Sequence, residues 1–349
     1  MEAPCGKKVG MKSAISSKVS QTAGEISALA PVYALVQDDF AAVNQLIPQK
    51  LTSAVALVEE ISNYIVESGG KRLRPLMVLL AAGSLGYRGD KHISVAAIIE
   101  FLHTATLLHD DVVDHSGMRR GRLTANEKWG NAPSVLVGDF LYSRAFQLMV
   151  EVGSLEIMSV LSRATNTIAE GEVLQLTNVG NLSITEAQYR EVIRCKTALL
   201  FEAAAHTGGL VVDTPSGVHV DTLRRFGQHF GITYQLVDDW LDYAGDSALL
   251  GKNVGDDLAE GKLTLPLIYA LQHSSTGDQQ QIAAAINEKS TEHLPDIVAI
   301  VQHSGALDYT HAAAAAESEA ALACLDALPP GKHVEAMRTV TQYSTARLF

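Results

Sequence analysis

A short pattern that occurs twice constrains this chain more than anything else in it. Leu108-His-Asp-Asp-Val-Val-Asp114 and Leu236-Val-Asp-Asp-Trp-Leu-Asp242 share a DDxxD spacing, and each follows an apolar run. On a helix Asp110 and Asp114 are neighbours one turn apart on one face, with Asp111 about 100° round, and Asp238, Asp239 and Asp242 repeat that geometry. Like charges at this spacing destabilise a helix, so the two sets call for a compensating cation. Mg²⁺ suits them: it is hard, prefers oxygen, and is held by one or two carboxylates while substrate phosphates and waters complete its octahedron. Two such helices facing each other could clamp one diphosphate. A single copy is as readily a solvated polar face; two copies in apolar surroundings speak against that reading.

Apolar residues recur at helical spacing nearly everywhere after Ile26, and no period-2 alternation bounded by turn signals stands out. The pattern predicts an all-α fold. Pro75 near the start of LMVLLAAGSLG, Asn131 as an N-cap before Pro133, and a capping-box pattern at Ser183-Ile-Thr-Glu186 mark new helices. The Gly-containing interruptions are all too short for an interdomain linker, so residues 26–349 read as one domain. The alanine-rich stretch His311–Ala316 reads as ordinary helix. Residues 1–25, Ser- and Lys-rich and lacking the apolar core of a secretory signal, read as a disordered tail.

Composition narrows the function. A hydrophobic fraction of 47% in 349 residues supplies a sizeable core. Lys+Arg 27 against Asp+Glu 39 leaves a net charge of −12, which argues against nucleic acid or an anionic membrane as a general partner. An anionic ligand must then meet local positive charge. Cys5, Cys195 and Cys324 are odd in number, far apart and without CxxC spacing, which fits a reducing compartment better than a disulfide framework or a zinc site. No uncharged apolar run approaches bilayer length, because the stretch Val95–Leu108 carries Glu100 and ends in aspartates. A soluble, cytoplasmic protein is expected.

Local positive charge lies beside the acidic motifs. In Gly69-Gly-Lys-Arg-Leu-Arg-Pro75, Lys71 and Arg74 stand i, i+3 where a glycine turn enters a helix, a credible phosphate seat. Arg119 and Arg120 follow the first aspartate motif closely enough to reach the same phosphate or a neighbour. Lys196-Thr197 lie in a helix, Gln235 one turn before Asp239, and Lys252 and Lys262 bracket GKNVGDDLAEGK. Singly, each of these is an ordinary surface residue; together they place an acidic protein's scarce cations next to its aspartate motifs. His103, two turns before Asp110 on roughly the same face, is a possible phosphate donor and equally a core histidine paired with Glu100.

GGKRLRP, EFLHTATLLHDDVVDHSGMRRG, KTALLFEAAA, and YQLVDDWLDYAGD followed by LGKNVGDDLAEGKLTLPL resemble, in order, the successive signatures of the trans-isoprenyl diphosphate synthases, also called polyprenyl synthetases. The resemblance runs from about Ile26 to the C-terminus with no motif broken. NAPSVLVGDFLYSRAFQLM and IAEGEVLQL are most similar to the bacterial octaprenyl-forming members. The resemblance implies a helical isoprenoid-synthase bundle round a central elongation cavity, usually a homodimer. Carried over to matching positions, Lys71, Arg74, His103 and Arg120 would bind isopentenyl diphosphate. Arg119, Lys196, Lys252 and Lys262 would hold an allylic diphosphate, farnesyl diphosphate in the first instance. Two or three Mg²⁺ ions would sit on Asp110, Asp114 and Asp238, with Asp111, Asp239 and Asp242 in support. Thr197 and Gln235 would line the place where allylic charge develops.

Such chemistry needs charge stabilisation and no nucleophilic residue. A terpene cyclase would also ionise an allylic diphosphate but has no need of a second diphosphate seat. A noncatalytic partner subunit of a heteromeric synthase would be expected to lose aspartates that are intact here. Product length should depend on how far the chain runs beside the helix carrying Asp110, about 5.4 Å per turn. By the resemblance, early-stopping members carry aromatic rings at the positions of Ala105 and Thr106. The small residues here imply long, octaprenyl products for a quinone side chain, with transient membrane contact by a lipid-like product. Phe146 and Met149, on the helix after Pro133, are the expected floor of the cavity.

Overall fold

Which faces are apolar decides the architecture. The computed structural model describes residues 28–213, 216–244 and 255–346; residues 1–25, with Cys5, and Lys252 lie outside them. Its helices are α1 (Gln37–Lys50), α2 (Ala56–Glu67), α3 (Leu73–Ser84), α4 (Lys91–Val113), α5 (Ala125–Trp129), α6 (Asn131–Val152), α7 (Leu155–Asn178), α8 (Glu186–Ile193), α9 (Leu199–Leu210), α10 (Gly217–Ala244), α11 (Asp256–Glu260), α12 (Leu265–His273), α13 (Thr276–Glu288), α14 (Leu294–His303), α15 (Ala306–Asp326) and α16 (Lys332–Ala346). A π-helical turn, Arg194–Ala198, joins α8 to α9. Among the described residues, β structure is a two-residue antiparallel ladder, Met118–Arg119 against Arg122–Leu123. The all-α expectation is met.

Val95, Ala96, Ala97, Ile98, Ile99, Phe101 and Leu102 are all at most 1% exposed, so α4 is buried all round, as an all-apolar helix must be. It packs against α1, α3, α6 and α9. By length and composition α4 would pass for a membrane span if a charge or two is allowed, but two-thirds of its apolar window is buried inside the protein. It is a core helix.

The buried side chains form two clusters, one round α3, α4, α6 and α9, the other round α8 and α12–α15. The 28-residue α10 runs through both: Phe226 and Phe230 belong to the first, Leu236, Val237 and Leu241 to the second. Its seat against the preceding segment depends on two glycines. A Cβ at Gly231 would come 2.5 Å from Ala198 Cα, and one at Gly227 2.5 Å from Phe201 O. That close approach brings the π-helical turn alongside Gln235 and Asp239.

Two helix starts differ from the sequence reading. The capping box belongs to Thr185 and Gln188, two residues later than expected, and α6 begins at Asn131 itself behind Gly130, with no side-chain cap. The alanine stretch lies within α15 as expected. Cys195 and Cys324 are buried and free.

Candidate active site

Where the two buried clusters meet, the structure opens a cavity of about 1270 Å³. Both aspartate motifs lie near it; the first sits in the last turn and at the C-cap of α4, where the macrodipole adds partial negative charge and sharpens the need for cations. Of the residues singled out in the sequence, Lys71, Arg74, His103, Thr106, Asp110, Asp114, Arg119, Arg120, Lys196, Thr197, Gln235, Asp238, Asp239 and Lys262 line it.

One end is acidic. Asp114 accepts from Lys262 Nζ at 3.0 Å, and Lys262 also pairs with Glu260. Lys196 Nζ lies 2.7 Å from Glu172 Oε2, 2.8 Å from Gln175 Oε1 and 3.9 Å from Asp110 Oδ2. Asp111 faces away from the cavity and is fully buried; Arg119 Nε and Nη2 both reach its Oδ1, at 2.8 and 2.7 Å. Asp239 accepts from Tyr189 Oη and, at 2.6 Å, from Gln235 Nε2, while Thr197 Oγ1 donates to Gln235 Oε1 at 2.7 Å. Asp242 is turned from the cavity to the start of α11, accepting from the backbone N–H groups of Gly255 and Asp257 at 3.2 and 3.3 Å.

Burial sets the electrostatics of this end. It raises the pKa values of Asp110, Glu172, Glu260 and Asp257, and it pushes Asp239 up to about 7, with Asp238 and Asp242 adding repulsion. For Lys262, burial works against the charge but Asp114 and Glu260 outweigh it and hold its pKa up.

The other end is basic. Arg74 is half-buried, its guanidinium 4.3 Å above the Phe201 ring and its Nη1 3.3 Å from His103 Nε2; among the described residues its Nε has no hydrogen-bond partner. Lys71 Nζ donates to Tyr343 Oη at 2.8 Å. Gly70, at φ +133°, leaves room for Arg120: a Cβ there would sit 2.5 Å from its Nη1. Burial lowers the pKa of Arg74, Arg120 and His103, His103 falling well below its usual value under the added influence of Arg74, Arg120 and Arg119. His103 is therefore neutral, and its partner is Arg74 rather than Glu100, which lies 3.6 Å from Arg72 Nε. A cluster of cations round the half-buried Arg74, whose Nε is unused among the described residues, suits an incoming diphosphate.

The carboxylates suit a hard divalent ion. Among the described residues no three acidic or imidazole groups converge into a ready-made ligand shell. A hard divalent ion is commonly held by one or two carboxylates, with waters and substrate oxygens completing its shell. Asp110, Asp114 and Asp238 are motif carboxylates that line the cavity, whereas Asp111 and Asp242 turn to Arg119 and to backbone N–H groups.

The expected cavity floor is not brought to the site. The buried positions of α6, Ser134, Val137, Gly138, Leu141, Ala145, Leu148, Met149 and Val152, follow a 3–4 repeat that skips Phe146. Phe146 is 39% exposed on the outside, which corrects its assignment, and Met149 is buried without lining the cavity. Ala105 is fully buried against neighbouring helices, leaving Thr106 to front the cavity. Lys252 lies outside the described residues.

Sequence reasoning missed Glu172, Gln175, Tyr189, Asp256, Asp257, Glu260 and Tyr343, all in the lining. Asp256-Asp257 form a third aspartate pair in the quoted GKNVGDDLAEGK, from which only the lysines were taken. Glu172 and Gln175 stand i, i+3 in IAEGEVLQL. Tyr189 and Tyr343 carry no local signal.

The chain is similar to known proteins. The octaprenyl diphosphate synthase of Escherichia coli is 49% identical over 305 residues, 87% of this chain and 94% of its own length. An all-trans-nonaprenyl-diphosphate synthase (geranyl-diphosphate specific) of Rhodobacter capsulatus is 47% identical, covering 91% and 97%. Among solved structures, a polyprenyl synthase from Caulobacter crescentus, complexed with calcium and isoprenyl diphosphate, superposes with a TM-score of 0.88 at 42% identity over 91% of this chain and 97% of its own. A decaprenyl diphosphate synthase from Rhodobacter capsulatus superposes equally well, at 42% identity over 92% and 99%. With the Polyprenyl synthetase model also matching residues 55–303, the chain belongs to the polyprenyl synthetase family.

Proposed function

We propose that the chain adds isopentenyl diphosphate repeatedly to an allylic diphosphate, farnesyl diphosphate as primer, and makes long-chain all-trans octaprenyl diphosphate for a quinone side chain. One observation carries this reading: a single cavity has a carboxylate end suited to divalent ions and a guanidinium end suited to a second diphosphate. A cyclase has no use for that second seat. Relatives named for octaprenyl, nonaprenyl and decaprenyl products support a long chain.

Asp110, Asp114 and Asp238 would hold two or three magnesium ions, which when bound supply Lewis-acid stabilisation of the leaving diphosphate. Lys196, Lys262 and Arg119 direct donors at the same group, with Lys252 as a further cation by its place in the motif. When the allylic C–O bond breaks, its electron pair leaves with the diphosphate, and Thr197 and Gln235 border the resulting positive charge. Lys71, Arg74 and Arg120 hold isopentenyl diphosphate, and neutral His103 donates a hydrogen bond without adding charge. The isopentenyl double bond then forms the new C–C bond, and its C2 proton passes to the released diphosphate.

In this reading the enzyme works in the cytoplasm as a homodimer. Leu136, Val150, Leu155 and Val173 are more than 60% exposed on α6 and α7, an apolar face that a second copy would cover. The test is incubation of the purified chain with magnesium, farnesyl diphosphate and labelled isopentenyl diphosphate, followed by product sizing. Long, discrete polyprenyl products are expected; no product, or twenty-carbon product alone, would overturn the assignment.

A further inference from the structure

Tyr189, in α8, is 3% exposed and packs in the second buried cluster, where a phenylalanine would fill the same volume. Its hydroxyl nevertheless reaches across to α10 and donates to Asp239 Oδ2. The other oxygen of that carboxylate accepts from Gln235 Nε2, and Gln235 Oε1 accepts from Thr197 Oγ1. One chain of hydrogen bonds therefore runs Tyr189–Asp239–Gln235–Thr197 through three elements and ends on two side chains that border the allylic charge. Both oxygens of Asp239 are engaged by protein donors, unlike a carboxylate kept for a metal.

The two bonds of Gln235 set its amide: the NH₂ donates to Asp239 Oδ1 and the carbonyl oxygen accepts from the Thr197 hydroxyl. That oxygen is the negative end of the amide dipole. Presented to the cavity it stabilises a developing cation; with the amide flipped, the NH₂ would oppose it. Nothing else in the chain of bonds fixes the choice.

We propose that Tyr189 is a positioning residue for prenyl transfer: by anchoring Asp239 it holds the Gln235 amide with its oxygen on the side where allylic positive charge develops. The proposal rests on the prenyl-transfer reading. Tyr189 touches no substrate and acts through Gln235.

Tyr189→Phe keeps the ring and removes one oxygen. It should lower kcat about 10–100-fold while the allylic KM stays within about threefold, because the diphosphate seats are untouched. Gln235→Ala alone should cost at least as much, and adding Tyr189→Phe to it should cost nothing further. Equal losses from Tyr189→Phe in both backgrounds would make Tyr189 merely structural and overturn the proposal, as would an unchanged kcat in the single variant. If Tyr189→Phe does not fold, the isosteric Asp239→Asn takes its place in the same two-background comparison, with the same outcomes deciding. Wild-type turnover separates the two readings: an inactive wild type refutes prenyl transfer, whereas an active wild type with an insensitive Tyr189→Phe refutes only the role of Tyr189.

Discussion

The two ends of the cavity answer burial in opposite directions. At the acidic end, carboxyl groups are pushed up toward neutrality, Asp239 to about 7. At the basic end, Arg74, Arg120 and His103 are pushed down. Each end holds charge of one sign in excess, and each is relieved by a ligand of the other sign: divalent ions at one, a diphosphate at the other. The two aspartate motifs repeat the contrast on a smaller scale. Lys196, Lys262 and Arg119 meet the first, whereas in the second Tyr189 and Gln235 donate to Asp239 and two backbone N–H groups to Asp242. Identical spacing in the sequence thus serves two different sets of partners.

The largest effect should come from breaking the acidic end. Asp238→Ala, Asp110→Ala or excess EDTA should lower turnover by about 10³ or more with the helical circular dichroism intact, since the metal's contribution has no substitute. Full turnover in EDTA would remove the distinction between the ends. Breaking the basic end should be milder and selective. Losing one charged donor costs roughly 1.5–3 kcal/mol, about one to two decades. Lys71→Ala or Arg74→Ala should therefore raise the isopentenyl KM about 10–100-fold and the allylic KM much less. The reverse pattern would exchange the two seats.

Stability of the metal-free protein against pH sharpens the comparison further, because the ends carry opposite signs. Asp239 titrates higher folded than unfolded, so the folded state binds the extra proton between about 4 and 7 and stability falls as pH rises through that window. His103 titrates lower folded than unfolded, so its contribution is lost as pH falls below its ordinary value of about 6.5. Asp239→Asn should remove the first effect, of the order of a few kcal/mol, and raise the melting temperature of the apo protein at neutral pH. Magnesium should do the same to the wild type. A denaturation series from pH 4 to 8 checks both, and an apo variant no more stable than wild type at pH 7.5 would deny that Asp239 is held at a cost.

The helical class, the cations and the motif carboxylates of the site were legible because helical periodicity and charge are local properties of sequence, whereas Glu172, Asp256, Asp257 and Glu260 were missed. The third pair, Asp256-Asp257, was equally visible and was passed over in favour of the lysines flanking it. Tyr189 and Tyr343 were not legible: each is an ordinary helix residue whose partner lies 50 or 272 positions away. Phe146 went wrong for a related reason. Its distance along α6 was right for a floor, but only the packing of neighbouring helices shows which arc of α6 is buried, and Phe146 stands outside it.

The smallest effect on rate, and the most specific, concerns the wall between the ends. Ala105 and Thr106 are neighbours in sequence but face different surroundings: Ala105 is fully enclosed by packed helices, whereas Thr106 lines the cavity one turn before Asp110, its hydroxyl donating to His103 O at 2.8 Å. A chain growing from a diphosphate near Asp110 along this face of α4 meets Thr106, then Ile168 and Leu200 on facing elements. Thr106→Tyr should place a ring in that path, shifting products from a farnesyl primer to twenty- or twenty-five-carbon lengths while the first condensation keeps its rate within a few-fold. Ala105→Tyr instead forces a ring into a filled core, which typically costs about 1–3 kcal/mol, and should show first as a lowered melting temperature. Reversed-phase sizing beside thermal denaturation separates the two. Short products from Ala105→Tyr without loss of stability, with an unchanged profile from Thr106→Tyr, would put the growing chain on the opposite side of α4.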